Sequence, residues 1–524
     1  MHTDARTLDN RNRIEADLCI IGAGAAGLTI AQELDGTSTE IVLLESGGFE
    51  ADPDTQYLYY GEHVGISDHG LAGARLRFFG GSTNHWNGMC GLLDPIDFEQ
   101  RDWVPGSGWP IEREALMPYY ERAHPICDLG PFVYDPAQWE RSSSGMTALP
   151  FDSARIQDKM FQFSPPTDFG DKYRKTVVQS DNIHLYTHAN ATGIRLRANA
   201  SAVQHLDVEC LSGTAFQVKA SDYVLACGGV ENPRLLLSSN DVMAAGVGNQ
   251  HDCVGRYFLQ HPHVVVGDIV LTDRTQNISF YTEKQVGETK IRSLLRLSDE
   301  VQRAEKTLNY NVSLADRIAG LPSGYESVRA LAYALKQGRT DLSISKKVSW
   351  LLRDFESVLY GANRRLQGKD YVAPFHFSLK ARLDQAPNPN SRVSLGDERD
   401  ALGLRRVKAN WQLTDLDRHT LRVANRVLAQ EVMRTETGRL VEAEWLAKSS
   451  AWPQDMTGGY HHMGTTRMST TPQRGVVDAN CKVHGVDNLF VAGSSVFPTA
   501  GTANPTLTLV ALAVRLADHL AARS

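Results

Sequence analysis

Residues Asp17–Gly47 read DLCIIGAGAAGLTIAQELDGTSTEIVLLESG, and this stretch decides the fold. Leu18–Ile21 is a short apolar run of the buried-strand kind, and it breaks at glycines, after which Ala, Leu and Ile recur in a helical pattern. Gly22, Gly24 and Gly27 make G-x-G-x-x-G in that setting. The first glycine allows a tight turn, the second lets backbone approach a pyrophosphate, and the third lets the helix pack closely on the strand. Unpaired N–H groups at the helix start then face phosphates. A second apolar run, Ile41–Leu44, ends in Glu45, placed to accept hydrogen bonds from a ribose diol. Strand, glycines, helix, strand and acid in register predict a βαβ unit that holds an adenine dinucleotide. FAD and NAD are both open at this point.

A chain of 524 residues exceeds the size at which one core keeps growing, so two domains or one large composite are expected. With 42% apolar and 22% charged residues the composition is ordinary for a globular protein and argues against disorder. The net charge of -7 argues against a nucleic-acid partner. The seven cysteines include no C-x-x-C and no disulfide spacing, which suits a reducing cytoplasm, the expected location. Residues 1–16 lack the apolar core of a secretory signal. The most apolar helical stretch, Leu507–Leu520, is interrupted by Arg515 and Asp518 and is short for a bilayer, so a buried helix and no membrane span are expected. No metal site is expected.

Beyond the nucleotide unit, Arg75–Cys90 reads RLRFFGGSTNHWNGMC. That mix makes a poor helix and a poor strand but a good loop for close backbone approach to a planar ligand. Residues 94–125 suggest a loop and then a short amphipathic helix bent by Pro118. Ile183–Leu185, Thr192–Leu196 and Ala215–Val218 suggest a meander, and Asp222–Cys227 a buried parallel strand followed by a helix that starts near Pro233. Alternation in Val264–Leu271 and Phe375–Leu383 predicts an antiparallel sheet covered by helices, the natural substrate domain. Residues 299–368 lean helical, and their basic pairs Lys346–Lys347 and Arg364–Arg365 read as a solvated face. The last seventy residues are dense again: GGYHHMGTTRM (458–468), GVVDANCKV (475–483), NLFVAGSSVFP (488–498) and GTANPTLT (501–508) precede the final helix.

Together these motifs resemble the glucose–methanol–choline (GMC) family of FAD-dependent oxidoreductases. The likeness rests on GAGAAG with Glu45, GGSTNHWNG, VLACGGVENPRLLL, and HHMGTTRM followed by VAGSSVFPTAGTANPTLT. It covers the first 100 residues, roughly 222–262, and 385–524. The resemblance implies an α/β fold with a Rossmann-like FAD-binding domain, discontinuous over 1–261 and 451–524, and a second α+β substrate domain over 262–450. It selects FAD over NAD. It places Gly80, Gly81, Ser82, Asn84, His85, Trp86, Asn87 and Gly88 around the flavin, with Gly493, Ser494, Pro505 and Thr506 from the C-terminal segments. His85 falls where pyranose and choline oxidases carry a histidine bonded covalently to the ring; a histidine that only hydrogen-bonds or packs beside it is the alternative. Asn84 and Asn87 depart from the residues those enzymes place there.

By the same resemblance His461 falls on the active-site histidine and Asn504 on its partner, which is His or Asn in different members. Oxidising a carbinol requires loss of the hydroxyl proton and movement of hydride to flavin N5, and a neutral imidazole with an ordinary pKa of about 6.5 suits the first task. His461 is therefore expected to take the proton and Asn504 to donate to the substrate oxygen. Gln385, in DQAPNPNSRVSL, and His462 are the expected substrate contacts. The expected reaction is oxidation of a secondary CH–OH of a sugar or glycoside to a ketone, with oxygen or another acceptor reoxidising the flavin. Oxidation of a non-sugar alcohol, or a non-redox lyase on the same FAD fold, are the alternatives. Oligomeric state is left open.

Overall fold

The computed structural model describes residues 1–66, 70–142, 146–165, 167–272, 277–316, 376–448 and 451–523. Its organising strand is Arg13–Ile21, whose last four residues are buried on both faces, as their unbroken apolar run demands. It pairs in parallel with Ile41–Leu44 on one side and with Ala215–Leu225 on the other. The sheet runs in space from His2–Asp4 through Ile183–Thr187, Ile41–Leu44, Arg13–Ile21, Ala215–Leu225 and Val203–Glu209 to Asn190–Leu196. Pairing is parallel as far as Ala215–Leu225 and antiparallel beyond it. Leu489–Val491 returns from the C-terminal region to lie parallel to the far end of Ala215–Leu225.

Two local readings change here. Ile183–Thr187 is not part of a meander but runs parallel beside Ile41–Leu44; its alternating burial is what any half-covered strand shows, whichever way it pairs. Ala215–Val218 and Asp222–Leu225 are one eleven-residue strand. Its neighbour on one flank changes midway, from Val203–Glu209 to Leu489–Val491, while Arg13–Ile21 follows the other flank throughout.

The next helix also begins earlier than expected, at Gly228, and runs to Ser238 with Pro233 inside it. Proline removes the N–H that the Gly229 carbonyl would accept. The Thr465 hydroxyl donates to that carbonyl instead, at 2.6 Å. Asn232 accepts from the Cys227 N–H and donates to Ala492 O and Ser495 Oγ. The helix is thus fastened to both C-terminal motifs.

The second sheet is antiparallel throughout, in the order Gly438–Glu442, His263–Leu271, His376–Leu383, Tyr310–Asp316, Thr289–Leu297, Ile156–Phe163 and Met89–Cys90. The two alternating segments read from the sequence pair directly with each other. A twenty-residue helix, Asp415–Arg434, held at its start by a Thr414–Asp417 capping box, packs on this sheet. Arg392–Arg399, Arg405–Trp411 and Glu62–Gly65 form a third, three-stranded sheet, and its Val393, Val407 and Trp411 join the core of the second. The architecture is α/β, a Rossmann-like layer joined to an antiparallel α+β unit. Division at 261/262 and 450/451 stays a proposal, and the second sheet also takes strands from 89–90 and 156–163. Of the stretch 299–368, Asp299–Glu305 is helical and Tyr310–Asp316 is a strand. Residues 317–368, with both basic pairs, lie outside the described residues. Among those residues no helix is long and apolar enough to cross a membrane.

Candidate active site

Three adjacent parallel strands, Arg13–Ile21, Ala215–Leu225 and Leu489–Val491, each run into a glycine that lines one cavity of about 610 Å³: Gly24, Gly228 and Gly493. A Cβ added at any of the three would meet no protein atom within 4 Å. The space before them is therefore open to a ligand's backbone-hugging atoms. Gly24 is also the N-cap of the helix Ala25–Glu33, so free N–H groups and the positive helix end face the same place. The other two fingerprint glycines serve the protein itself. A Cβ at Gly27 would fall 1.9 Å from the Gly22 carbonyl oxygen, and one at Gly22 would lie 2.8 Å from that of Ala226. Glu45 is buried and lines the cavity. Its two oxygens accept from the N–H groups of Ala23 and Gly47 at 3.0 and 2.9 Å, which ties it to the glycine turn and leaves each oxygen a second lone pair. Burial raises its pKa, against the pull of those bonds. The cradle fits the adenosine and pyrophosphate of FAD.

The Gly80–Gly88 loop docks on that turn, with the Gly80 N–H donating to Ala23 O at 2.9 Å. A tight helical turn over Gly81–His85 then turns Gly81, Ser82, His85, Trp86 and Asn87 to the cavity. Trp86 is pinned by its Nε1–H to Thr167 O at 2.8 Å. Burial lowers the pKa of His85. Gly80, Asn84 and Gly88 are not on the wall. Asn84 donates to Phe79 O within its own loop, and a Cβ at Gly88 would meet Ser164 O at 2.5 Å.

The same cavity is lined by His461, His462, Asn504 and two residues the sequence reading did not single out, His263 and Arg382. His461 is presented by irregular backbone, and its partner comes from an antiparallel register. Leu259 and Met463 bridge each other, so counting two residues inward sets His261 against His461. The side chains meet at 2.8 Å between their Nδ1 atoms. Between His461 and the next bridge, His263 with Thr457, the second strand carries two extra residues. They are absorbed where Gly459 and Tyr460 adopt φ of 66° and 61°.

This pair fixes a tautomer. His261 Nε2 lies 3.3 Å from the Ala500 carbonyl, which can only accept, so Nε2 carries the proton and Nδ1 is bare. His461 must then carry its proton on Nδ1, and its Nε2 is a bare acceptor in the cavity. Both rings are neutral near pH 7. Burial and then Arg382 bring His261 down to about 3. Burial, followed by His261, Arg382, His263 and His462, holds His461 well below its ordinary value. His263 is lowered likewise, by burial and then Arg382.

Asn504 is oriented by the same logic. Arg382, which only donates, bonds Asn504 Oδ1, so the amide NH₂ is turned to His461 Nε2, 3.5 Å away. Arg382 also donates from Nε to His263 Nε2 at 3.1 Å. Pro505 and Thr506 follow in the wall as the first turn of the helix Pro505–Ala521. Ser494, beside Gly493, donates to the His462 carbonyl at 2.7 Å.

Gln385 does not reach this cavity. It is fully buried, accepts from Gln260 N and Trp411 Nε1 at 2.9 Å each, and donates to Phe258 O and Gln412 O. Its amide is spent within the protein.

A three-glycine cradle joined through one cavity to a neutral histidine base and an oriented amide defines a dinucleotide-dependent oxidoreductase. Models of the N- and C-terminal parts of GMC oxidoreductases match residues 169–263 and 387–513, and the chain belongs to that family. It is 23% identical to the 2-methyl-1,2-propanediol dehydrogenase of Mycolicibacterium austroafricanum over 97% of this chain and 96% of that protein. It is 37% identical to the C-glycoside 3-oxidase of Arthrobacter globiformis over 123 residues, 23% of this chain and 22% of that one. The crystal structure of pyridoxine 4-oxidase from Mesorbium loti superposes with a TM-score of 0.57 at 19% identity, covering 96% of this chain and 99% of that one.

Proposed function

We propose that this protein oxidises a secondary CH–OH of a sugar or glycoside to a ketone, with FAD held between the glycine cradle and the histidine cluster. The observation that carries the reading is the bare Nε2 of His461, kept bare through His261 and the Ala500 carbonyl, in the cavity that the cradle also lines. FAD, when bound, supplies the acceptor for the hydride that leaves the carbinol carbon. The chain's own residues do the rest. His461 Nε2 takes the hydroxyl proton, and His261 keeps the ring in the accepting tautomer. Asn504 donates to the substrate oxygen and is held in that orientation by Arg382. His462 and Trp86 border the substrate space.

The sugar class is supported by the local likeness to a C-glycoside 3-oxidase. A non-sugar alcohol is the second reading, favoured by the full-length likeness to a diol dehydrogenase. Enzymatic activity in the cytoplasm completes the proposal. The test is anaerobic addition of monosaccharides, glycosides and simple diols to the holoenzyme, followed by flavin bleaching. Bleaching by a sugar, abolished in His461→Ala with FAD retained, supports the reading. A flavin that stays oxidised while an alcohol is consumed identifies a lyase, and bleaching by diols alone selects the second reading.

A further inference from the structure

Arg382 is a cation in the catalytic cavity with no carboxylate beside it among the described residues. It projects from the strand His376–Leu383 of the antiparallel sheet. Two of its five N–H groups are placed, on His263 Nε2 and Asn504 Oδ1. The other contacts of its two terminal nitrogens are to Met89 Sδ at 3.8 Å, a weak acceptor. Four buried guanidiniums in this protein have carboxylates: Arg75 with Glu231 at 2.6 Å, Arg234 with Asp400 at 2.6 Å, Arg296 with Asp94 at 3.2 Å and Arg101 with Asp384 at 3.3 Å. Among the described residues Arg382 has none. Arg406 and Arg467 also lack one, but neither lines this cavity. Arg406 donates to Tyr57 O and Tyr60 O and Arg467 to Gly106 O, and they lie over tyrosine rings at 4.7 and 4.4 Å, whereas Arg382 is 6.0 Å from the ring of Phe161. Burial, with Arg292 adding to it, brings Arg382 down to about 10, so it stays charged at neutral pH. An unpaired charge out of water is costly, and such charges are normally paired or bind a ligand.

We propose that Arg382 binds a carboxylate on the substrate, so that the alcohol this site takes is a hydroxylated monoanion such as a uronic acid or its glycoside. The proposal rests on the alcohol-oxidation reading above and narrows it. Arg382 enters from the sheet opposite the glycine cradle and stands beside His461 and Asn504, which is the substrate's place rather than the nucleotide's. Beyond the N–H given to Asn504, the two terminal nitrogens keep three N–H groups that have only Met89 Sδ near them, and such a planar fork matches the two oxygens of a single carboxylate. The neighbouring histidines are neutral, so the site offers one positive charge, which matches one negative charge better than a phosphate dianion. Pairing also removes a field that opposes the proton arriving on His461.

The test uses the holoenzyme and matched methyl D-glucuronides and methyl D-glucosides of both anomers, which differ only in carrying a carboxylate or a hydroxymethyl group. Wild type is expected to bleach with the uronoside at a kcat/KM at least tenfold higher, chiefly through KM. Arg382→Met is expected to bring that ratio near one, and Arg382→Lys to restore part of it. Isothermal titration with D-glucuronate should show binding to wild type that Arg382→Met loses. An equal or reversed wild-type preference overturns the proposal even if no variant folds. A preference that survives Arg382→Met also overturns it, as does a fall of both substrates by the same factor, which would make Arg382 only a support for Asn504. If no sugar bleaches the flavin, the sugar reading fails, and the titration alone then decides: glucuronate binding lost in the variant supports the carboxylate site, and no binding overturns it.

Discussion

Replacing His261 tests the tautomer argument most directly. The ring is fully buried, touches no part of the space assigned to substrate, and acts only through its 2.8 Å bond to His461. In His261→Leu the Nδ1–H of His461 loses its acceptor in a place without water. A buried unsatisfied donor costs about 1–3 kcal/mol; the other tautomer leaves Nδ1 a bare acceptor, which is better tolerated than an orphaned N–H, so the penalty falls mainly on the tautomer with the proton on Nδ1. The alternative, with the proton on Nε2, is correspondingly favoured and cannot accept from substrate. At 1.4 kcal/mol per factor of ten, kcat for flavin reduction should fall by about 5–150-fold, with KM little changed. His261→Gln can offer a carbonyl oxygen at the same position and should recover most of the rate. The assay is stopped-flow anaerobic bleaching with the best alcohol from the panel, alongside FAD content and melting temperature. Side-chain ¹⁵N spectra of the histidines read the tautomer independently of turnover. Leu and Gln variants that react equally fast, or a wild-type His461 protonated on Nε2, would refute the reasoning.

The pH profile follows from the groups around His461, namely His261, His263, His462 and Arg382, all of which oppose its protonation after burial has done so. The neutral base is required, so kcat/KM should stay level as pH falls through 6.5 and drop only at the depressed value; removing the charge in Arg382→Met should move that limb upward, and a wild-type limb at 6.5 or above would count against the site. Gly24 and Gly27 should fail in opposite ways. Gly24→Ala, whose Cβ meets only open space, should fold with a near wild-type melting temperature yet lose FAD absorbance, whereas Gly27→Ala, aimed at the Gly22 carbonyl oxygen, should lose at least about 1–3 kcal/mol of stability; loss of FAD in neither would refute the cradle. The resemblance puts His85 where relatives bond a histidine to the flavin, and its side chain borders the cavity with no hydrogen bond among the described residues; on that reading denatured protein should exceed its chain mass by one FAD and His85→Ala should lose that increment, whereas an unmodified wild-type mass would leave His85 a packing residue.

Much of the fold was legible because local chemistry determined it. The run Leu18–Ile21, the three glycines and Glu45 form a unit whose parts are adjacent in sequence, so periodicity and turn chemistry suffice. The alternation of Val264–Leu271 and Phe375–Leu383 predicted an antiparallel sheet, and the structure adds that the two segments are neighbours in it. What failed was what neighbours decide. Nothing within Ile183–Thr187 reports which strand lies beside it. Pro233 reads as a helix start by its own chemistry, and only the Thr465 hydroxyl, far along the chain, makes it tolerable inside one. Gln385 was placed near the right segment but on the wrong side of it.

The site divides in the same way. His461 and Asn504 lie in dense motifs, whereas His261 is 200 positions from His461 and Arg382 sits in an ordinary alternating strand. The weak signal for the former was HPH at 261–263, two histidines two apart, which a strand turns to one face. For Arg382 there was no signal, because its distinction is the lack of a counter-charge, a property of the folded surroundings alone.

Local rules are broken at this cavity in a consistent direction. Asparagine is among the best N-cap residues, and Asn504 is the N-cap of Pro505–Ala521, yet its side chain makes no cap bond. It turns instead to Arg382 and His461, forgoing about 1 kcal/mol of helix stability. Arg382 has no carboxylate among the described residues, whereas Arg75, Arg101, Arg234 and Arg296 each have one. Tyr460, a bulky residue, occupies the left-handed region beside His461. Each departure has a local cost, and none improves packing. They share one beneficiary, the bare Nε2 of His461 and the space before it, where an amide, a cation and a fixed tautomer converge. Three unrelated costs borne at one point are better explained by what that point binds than by three separate accidents of folding.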